Sequence, residues 1–215
     1  MNTSAVIGRR ERKAQETASR LTSVSRRLTA ERGLGGFTVQ EVCDEIDISR
    51  RTFFNYFPSK EDAILGAHPD DEFQHLSAGF RERGSRGWSV VVDDLIDMVI
   101  DHFEGFDLDP ASHLEFHAAL EREPQLLLRF MGVSRERDRQ ATALVAEREG
   151  VAPTDPRAEA AVSVLSAVLK SAGERYLDPA NLLDFSILIR NDLAALRDVL
   201  AAPAVQTSAP RKVSL

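Results

Sequence analysis

The segment from Thr38 to Lys60 constrains the fold more than any other part of the chain. Val39, Val42, Cys43 and Ile46 recur at helical spacing, Asp47 interrupts them, and Ile48, Phe53, Phe54 and Phe57 supply a second apolar set. Each run opens on a capping residue. Thr38 with Glu41 three residues on reads as a capping box, and Ser49 stands before Arg50 as a second N-cap. Ser59, with Glu61 and Asp62 in the following turn, opens a third helix. Two such short helices are stable only against another apolar surface. Leu21, Val24 and Leu28, extended upward by Ala14 and Ala18, predict a helix over 9–32 that supplies it. Gly33, Gly35 and Gly36 end that helix, and Phe37 is expected to pack beneath the pair.

The outward positions of the second short helix are Arg50, Arg51, Thr52, Asn55 and Tyr56. These side chains hydrogen-bond to phosphates and base edges. In a helix-turn-helix the second helix enters the major groove of DNA with its N-terminal residues against the bases. The same stretch resembles the TetR family of bacterial transcriptional regulators. Thr38-Val39, Ser49-Arg50-Arg51-Thr52-Phe53-Phe54 and Tyr56-Phe57-Pro58-Ser59-Lys60-Glu61-Asp62 match that family's signature, and with the preceding helix the match covers about a fifth of the chain. Two positions depart from it. Asp47 stands where the turn usually carries Gly, and Asp tolerates left-handed backbone angles better than most residues. Cys43 stands where Ala is usual, which a small buried site accepts.

Net charge of −7 argues at first against a nucleic-acid partner, and its distribution reverses the inference. Residues 1–60 hold 11 Lys and Arg against 7 Asp and Glu, whereas residues 61–215 hold 16 against 27. A basic head on an acidic body orients a protein on DNA. No apolar run approaches about 18 residues, so neither a signal peptide nor a membrane span is expected, and a cytoplasmic location is. The single cysteine rules out an internal disulfide.

Beyond the head, periodicity predicts helices from Ser59 towards Arg83 with a kink at Pro69, and over 88–106, 111–122, 124–149, 157–176 and 180–201. The expected organisation is all-α. It comprises an arm and helix-turn-helix over 1–57, a helical body over 58–201, and a disordered tail over 202–215 rich in Pro, Ala and Ser. The last two helices are apolar on more than one face. Val164, Leu165, Val168, Leu182, Phe185, Leu188, Ile189 and Leu193 suit either a four-helix dimer interface or a fully buried helix pair, and the family resemblance implies the interface.

Catalytic motifs are missing: there is no Gly-rich phosphate loop, no nucleophile elbow and no Cys-x-x-Cys, so no enzymatic activity and no cofactor are expected. His113 and His117 share a helix face with Glu121, but two His need a third ligand, and the more economical reading is a polar lining or a solvated face without metal. Asp93, Asp94, Asp97, Asp101 and Glu104 read as a solvated face of their helix, or as a source of one or two carboxylates that select a cationic ligand.

The resemblance implies a homodimer that binds double-stranded operator DNA and a small-molecule effector. It implies DNA contacts from Thr38, Ser49, Arg50, Arg51, Thr52, Asn55, Tyr56 and Lys60, with Thr38 and Lys60 on phosphates. The candidate effector pocket, of mixed lining and suited to a mostly apolar ligand with one polar or cationic group, joins Leu95, Met98, Val99, His102 and Phe106 to His117, Leu127, Phe130 and Met131. Steric repression relieved by the effector is the expected action. An activator without an effector, or a helical interaction module, is the alternative.

Overall fold

The computed structural model describes residues 9–66, 71–103, 110–178 and 180–201, with side chains placed from residue 13 onward except at 71–76, 102, 103, 110, 111 and 113. The expected N-terminal arm and the expected C-terminal tail lie outside the described residues. Ten α-helices occur, and no strand occurs among the described residues. They are α1 (Arg9–Arg32), α2 (Val39–Ile46), α3 (Arg50–Tyr56), α4 (Lys60–Leu65), α5 (Asp71–Glu82), α6 (Trp88–Phe103), α7 (Pro110–Arg122), α8 (Pro124–Glu149), α9 (Pro156–Tyr176) and α10 (Phe185–Ala201). A 3-10 turn, Leu34–Gly36, joins α1 to α2.

Local chemistry sets the ends of the short helices. The Thr38 hydroxyl accepts the Glu41 N–H at 3.2 Å, and the Glu41 carboxylate accepts the Thr38 N–H at 2.8 Å. Ser49 and Ser59 cap α3 and α4 by accepting the N–H groups of Thr52 and Asp62 at 3.0 and 3.1 Å. Asp47 closes α2 in the left-handed region, φ 59°, with its own N–H and that of Ile48 turned onto the Cys43 carbonyl.

Two boundaries differ from expectation. The single helix expected from Ser59 towards Arg83 is two: Gly66, at φ 63°, ends α4, and its N–H closes onto the carbonyls of Asp62 and Ala63. Only a residue without Cβ adopts that angle freely. The Pro69 kink lies outside the described residues. The last helix begins at Phe185 and not at residue 180. There the Asn181 side chain accepts the Leu183 N–H at 3.1 Å and donates to the Leu183 carbonyl at 2.8 Å, a local turn that competes with helix.

The chain divides into two compact units, 1–167 and 168–215, and the division falls inside α9. In the first unit, one apolar cluster gathers Leu21, Leu28, Phe37, Val42, Ile46, Phe53, Phe57 and Ile64 with Phe116, Ala119 and Leu120 of α7 and Leu126 of α8. The boundary expected at residue 57 therefore lies within a continuous core. Polar struts tie the same elements. Arg26 on α1 donates to the Ile64 carbonyl at 2.9 Å and to the Ser112 hydroxyl at 3.2 Å, with its guanidinium 4.7 Å from the Phe116 ring centre. Burial lowers its pKa to about 10 against the opposing pull of Glu115. Arg129 on α8 donates twice to Asp62 of α4, at 3.0 and 2.6 Å, and the Glu123 carboxylate accepts the Leu34 N–H at 2.7 Å.

A second ionic knot lies among α5, α6 and α8. Asp94 does not belong to a solvated face as the sequence suggested; it is fully buried and accepts from Arg86 and, at 2.9 Å, from Arg148. Arg148 is itself buried, lies 3.8 Å from the Phe80 ring centre and donates to Glu149 at 2.9 Å. Such a charge is tolerable inside a protein only with its partner in place. Asp97 and Asp101 accept from Arg83 at 3.3 and 3.2 Å. Three carboxylates of the acidic band are thus met by arginines of this chain. In the second unit, Val168, Ala172, Leu188, Ile189 and Leu193 are buried, Arg175 pairs with Asp192, and the Tyr176 and Phe185 rings meet edge to face at 5.6 Å.

Candidate nucleic-acid interface

The helix α3 is positioned by its buried edge. Phe53 and Phe57, four residues apart, point the same way and are both essentially inaccessible, with ring centres 6.3 Å apart. That anchoring turns Arg50, Arg51 and Asn55 outward, all three exposed. Thr52 and Tyr56 are half-buried at the margin, and Tyr56 packs partly on the head core. Five of the expected recognition residues therefore lie on one short helix held from below, three of them fully presented.

The remaining three are engaged within the chain. Ser49 spends its hydroxyl on the α3 cap and on Thr52, at 2.9 Å. Thr38 donates its hydroxyl to Glu41 at 3.0 Å. The Thr38 N–H and hydroxyl, in that order, with Arg32 adding to them, hold the Glu41 carboxyl below the ordinary range, so a carboxylate stands beside the α2 N-terminus. Lys60 donates to the Leu34 carbonyl and, at 3.3 Å, to the Phe37 carbonyl, and its ammonium lies 4.9 Å from the Phe37 ring centre. It fastens α4 to the 3-10 turn and is not extended into solvent.

Phe54 is a residue that sequence reasoning misplaced. It was grouped with the apolar set of α3, yet it is 48% exposed. The signal was present in the spacing, because one step of about 100° separates Phe54 from Phe53, whereas Phe57 returns to the buried edge. Cys43, by contrast, is buried as its helical position implied, and burial and Asp44 push its thiol upward.

Among the described residues, those expected to form an effector pocket do not gather. Leu95 and Met98 are buried and Val99 is half-buried on α6, while the His102 side chain and Phe106 lie outside the described residues. His117, Leu127 and Met131 are exposed, because Leu126 takes the inward position at the start of α8. Phe130 meets Phe116 edge to face at 5.4 Å and packs against the head core, in which Leu95 and Met98 take no part. A depression of about 370 Å³ lies instead beside Arg83, Arg86 and Asp97. The His113 side chain is outside the described set, and among the described residues no group of three His, Cys, Asp or Glu stands ready for a metal.

Of the residues expected at a dimer interface, Leu165, Val168, Leu188, Ile189 and Leu193 are buried within the single chain, Val164 and Phe185 are half-buried, and Leu182 is 96% exposed. Among the described residues no helix is long and apolar enough to cross a membrane.

With this geometry in view, the chain matches the family model described as bacterial regulatory proteins, tetR family, over residues 21–65, which spans the end of α1 through α4. It is also similar to the HTH-type transcriptional regulator TcmR of Streptomyces glaucescens, 29% identical over 203 residues that cover 91% of this chain and 89% of that protein.

Proposed function

We propose, from the match to the tetR family model over residues 21–65 and the likeness to TcmR, that the chain is a TetR-family dimeric repressor whose α3 helices read the two halves of an operator and whose body releases them when a small molecule binds. The observation that carries the DNA-reading half is the outward set Arg50, Arg51 and Asn55 on a helix fixed by buried Phe53 and Phe57. Arg supplies bidentate donors for guanine or phosphate, and Asn pairs with adenine. Thr52 and Tyr56 border that surface. Thr38, Ser49 and Lys60 act behind it, by holding α2, α3 and α4 in register.

Two copies associate through the end of α9 and α10, with the exposed Leu182 at the contact. Two heads held together require an operator with pseudo-two-fold symmetry and half-sites about one helical turn or a multiple apart. Effector and operator bind opposed states of the body, so each weakens the other by the same factor.

The experiment is a selection of duplex DNA from a random pool by the full chain, followed by titration at several salt concentrations. A palindromic consensus bound far more tightly than random duplex supports the reading. Equal affinity for both sinks it. Titration of a panel of aromatic compounds with and without the selected duplex then tests release, and a panel that leaves DNA affinity unchanged removes the effector from the proposal.

A further inference from the structure

Phe54 presents an aromatic ring to solvent on a helix whose other outward residues are cations and amides. It stands four residues after Arg50 and three after Arg51, so it shares their face of α3. Its ring is held edge-on against the buried Phe53 ring, 5.3 Å between centres and 80° between planes. The ring is therefore oriented by the core beneath it while nearly half of the residue remains open. An apolar group left at the centre of a basic, hydrogen-bonding surface calls for an apolar feature on the partner. Along the major-groove edges of DNA that feature is the C5-methyl group of thymine.

We propose that Phe54 is a specificity-determining residue, packing on a thymine methyl in each operator half-site next to the bases met by Arg50 and Asn55. The inference rests on the DNA-reading function proposed above and adds to it a base that hydrogen bonding alone does not explain. Because the ring is already held by Phe53, little ordering is lost when the methyl is covered.

The test uses the full chain and a duplex that it selects from random DNA. Each thymine of that duplex is replaced in turn by deoxyuridine, which removes the methyl and keeps every hydrogen bond. The expected result is one position in each half-site at which wild type loses about fourfold in affinity, the worth of one buried methyl group. Phe54→Ala should bind the thymine and uridine duplexes alike, and Phe54→Leu should keep most of the discrimination. Phe54→Gln, checked for an unchanged circular dichroism spectrum, serves as the second variant should the alanine form fold poorly. A scan in which no uridine position weakens wild type overturns the proposal, as does a Phe54→Ala or Phe54→Gln protein that discriminates as wild type does. A wild-type chain that selects no sequence fails at an earlier step and sinks the DNA-reading function itself.

Discussion

The carboxylate of Glu123, at the junction of α7 and α8, accepts the backbone N–H of Leu34 across 89 residues of sequence, at 2.7 Å. The Glu123 side chain also lies against Gly33, whose left-handed angle of 77° brings the backbone turn within reach; a Cβ at Gly33 would stand 3.0 Å from that carboxylate. One side chain of the body thus caps the 3-10 turn that joins the first two helices of the head. Glu123→Ala leaves a part-buried N–H without its acceptor and should cost about 1–3 kcal/mol of folding stability. Glu123→Gln keeps an acceptor and should cost less. Urea unfolding of the three proteins checks the order.

Asp94 and Arg148 form the most enclosed ion pair of the described residues. Asp94→Ala takes from the buried Arg148 guanidinium one of its two carboxylate partners, Glu149 being the other, and should destabilise by about 1–3 kcal/mol. Replacing both residues by apolar ones of similar size should recover much of that loss. A double replacement as unstable as the single one would show that the loss lies in the other contacts of Asp94, such as that to Arg86, and not in the Arg148 charge.

At the turn of the helix-turn-helix, Asp47→Val forces a β-branched residue into the left-handed region and should lower stability by about 1–2 kcal/mol. Asp47→Gly removes the steric cost and should leave stability close to wild type. Thermal unfolding reads both.

On the proposed DNA face, Arg50→Ala and Asn55→Ala should each weaken binding to the selected duplex by about 1–3 kcal/mol and relax preference at one base pair. Arg51→Ala, if it meets phosphate, should weaken all sequences and lower the salt slope by about 1. Lys60→Ala should behave otherwise. With its ammonium spent on the Leu34 and Phe37 carbonyls, its loss should appear in the melting temperature, with a smaller change in salt slope than Arg51→Ala gives.

The proposed contact between copies is best probed where the single chain is not disturbed. Leu182→Asp, at a nearly fully exposed position, should lower the sedimentation mass to that of one chain and reduce affinity for the selected duplex while leaving the helical spectrum intact. Leu188→Asp, at a buried position, should unfold the second unit instead. A Leu182→Asp protein that remains dimeric moves the interface elsewhere.

What was legible in the sequence was what is local. Thr38 with Glu41, Ser49 before Arg50, Ser59 before Lys60 and the tolerance of Asp47 for left-handed angles depend on neighbours within four residues, and the structure shows the caps and the turn as expected. Phe54 was misread because its apolar identity outweighed its angle on the helix, and Leu127 and Met131 were placed inward for the same reason when Leu126 holds the inner edge. The stop at Gly66 was overlooked because the apolar run of α4 continues up to it. The pairs Asp62–Arg129, Asp94–Arg148 and Glu123–Leu34 could not be read at all. Their members lie 67, 54 and 89 residues apart, and nothing in either neighbourhood names the other.

The cluster that places Phe116, Ala119, Leu120 and Leu126 among the side chains of α1 to α4 has a consequence for anyone wishing to transplant this head. A fragment cut after the third helix would carry away one wall of a room whose other wall stays behind, and would expose Phe53, Phe57 and Leu28 to water. A chimera that is to keep the operator preference of this chain must take α7 and the opening turns of α8 along with the first four helices, or rebuild the apolar wall and the acceptor for Leu34 in the recipient. The unit that can be exchanged between relatives is discontinuous in sequence, although the segment that matches the family model is not.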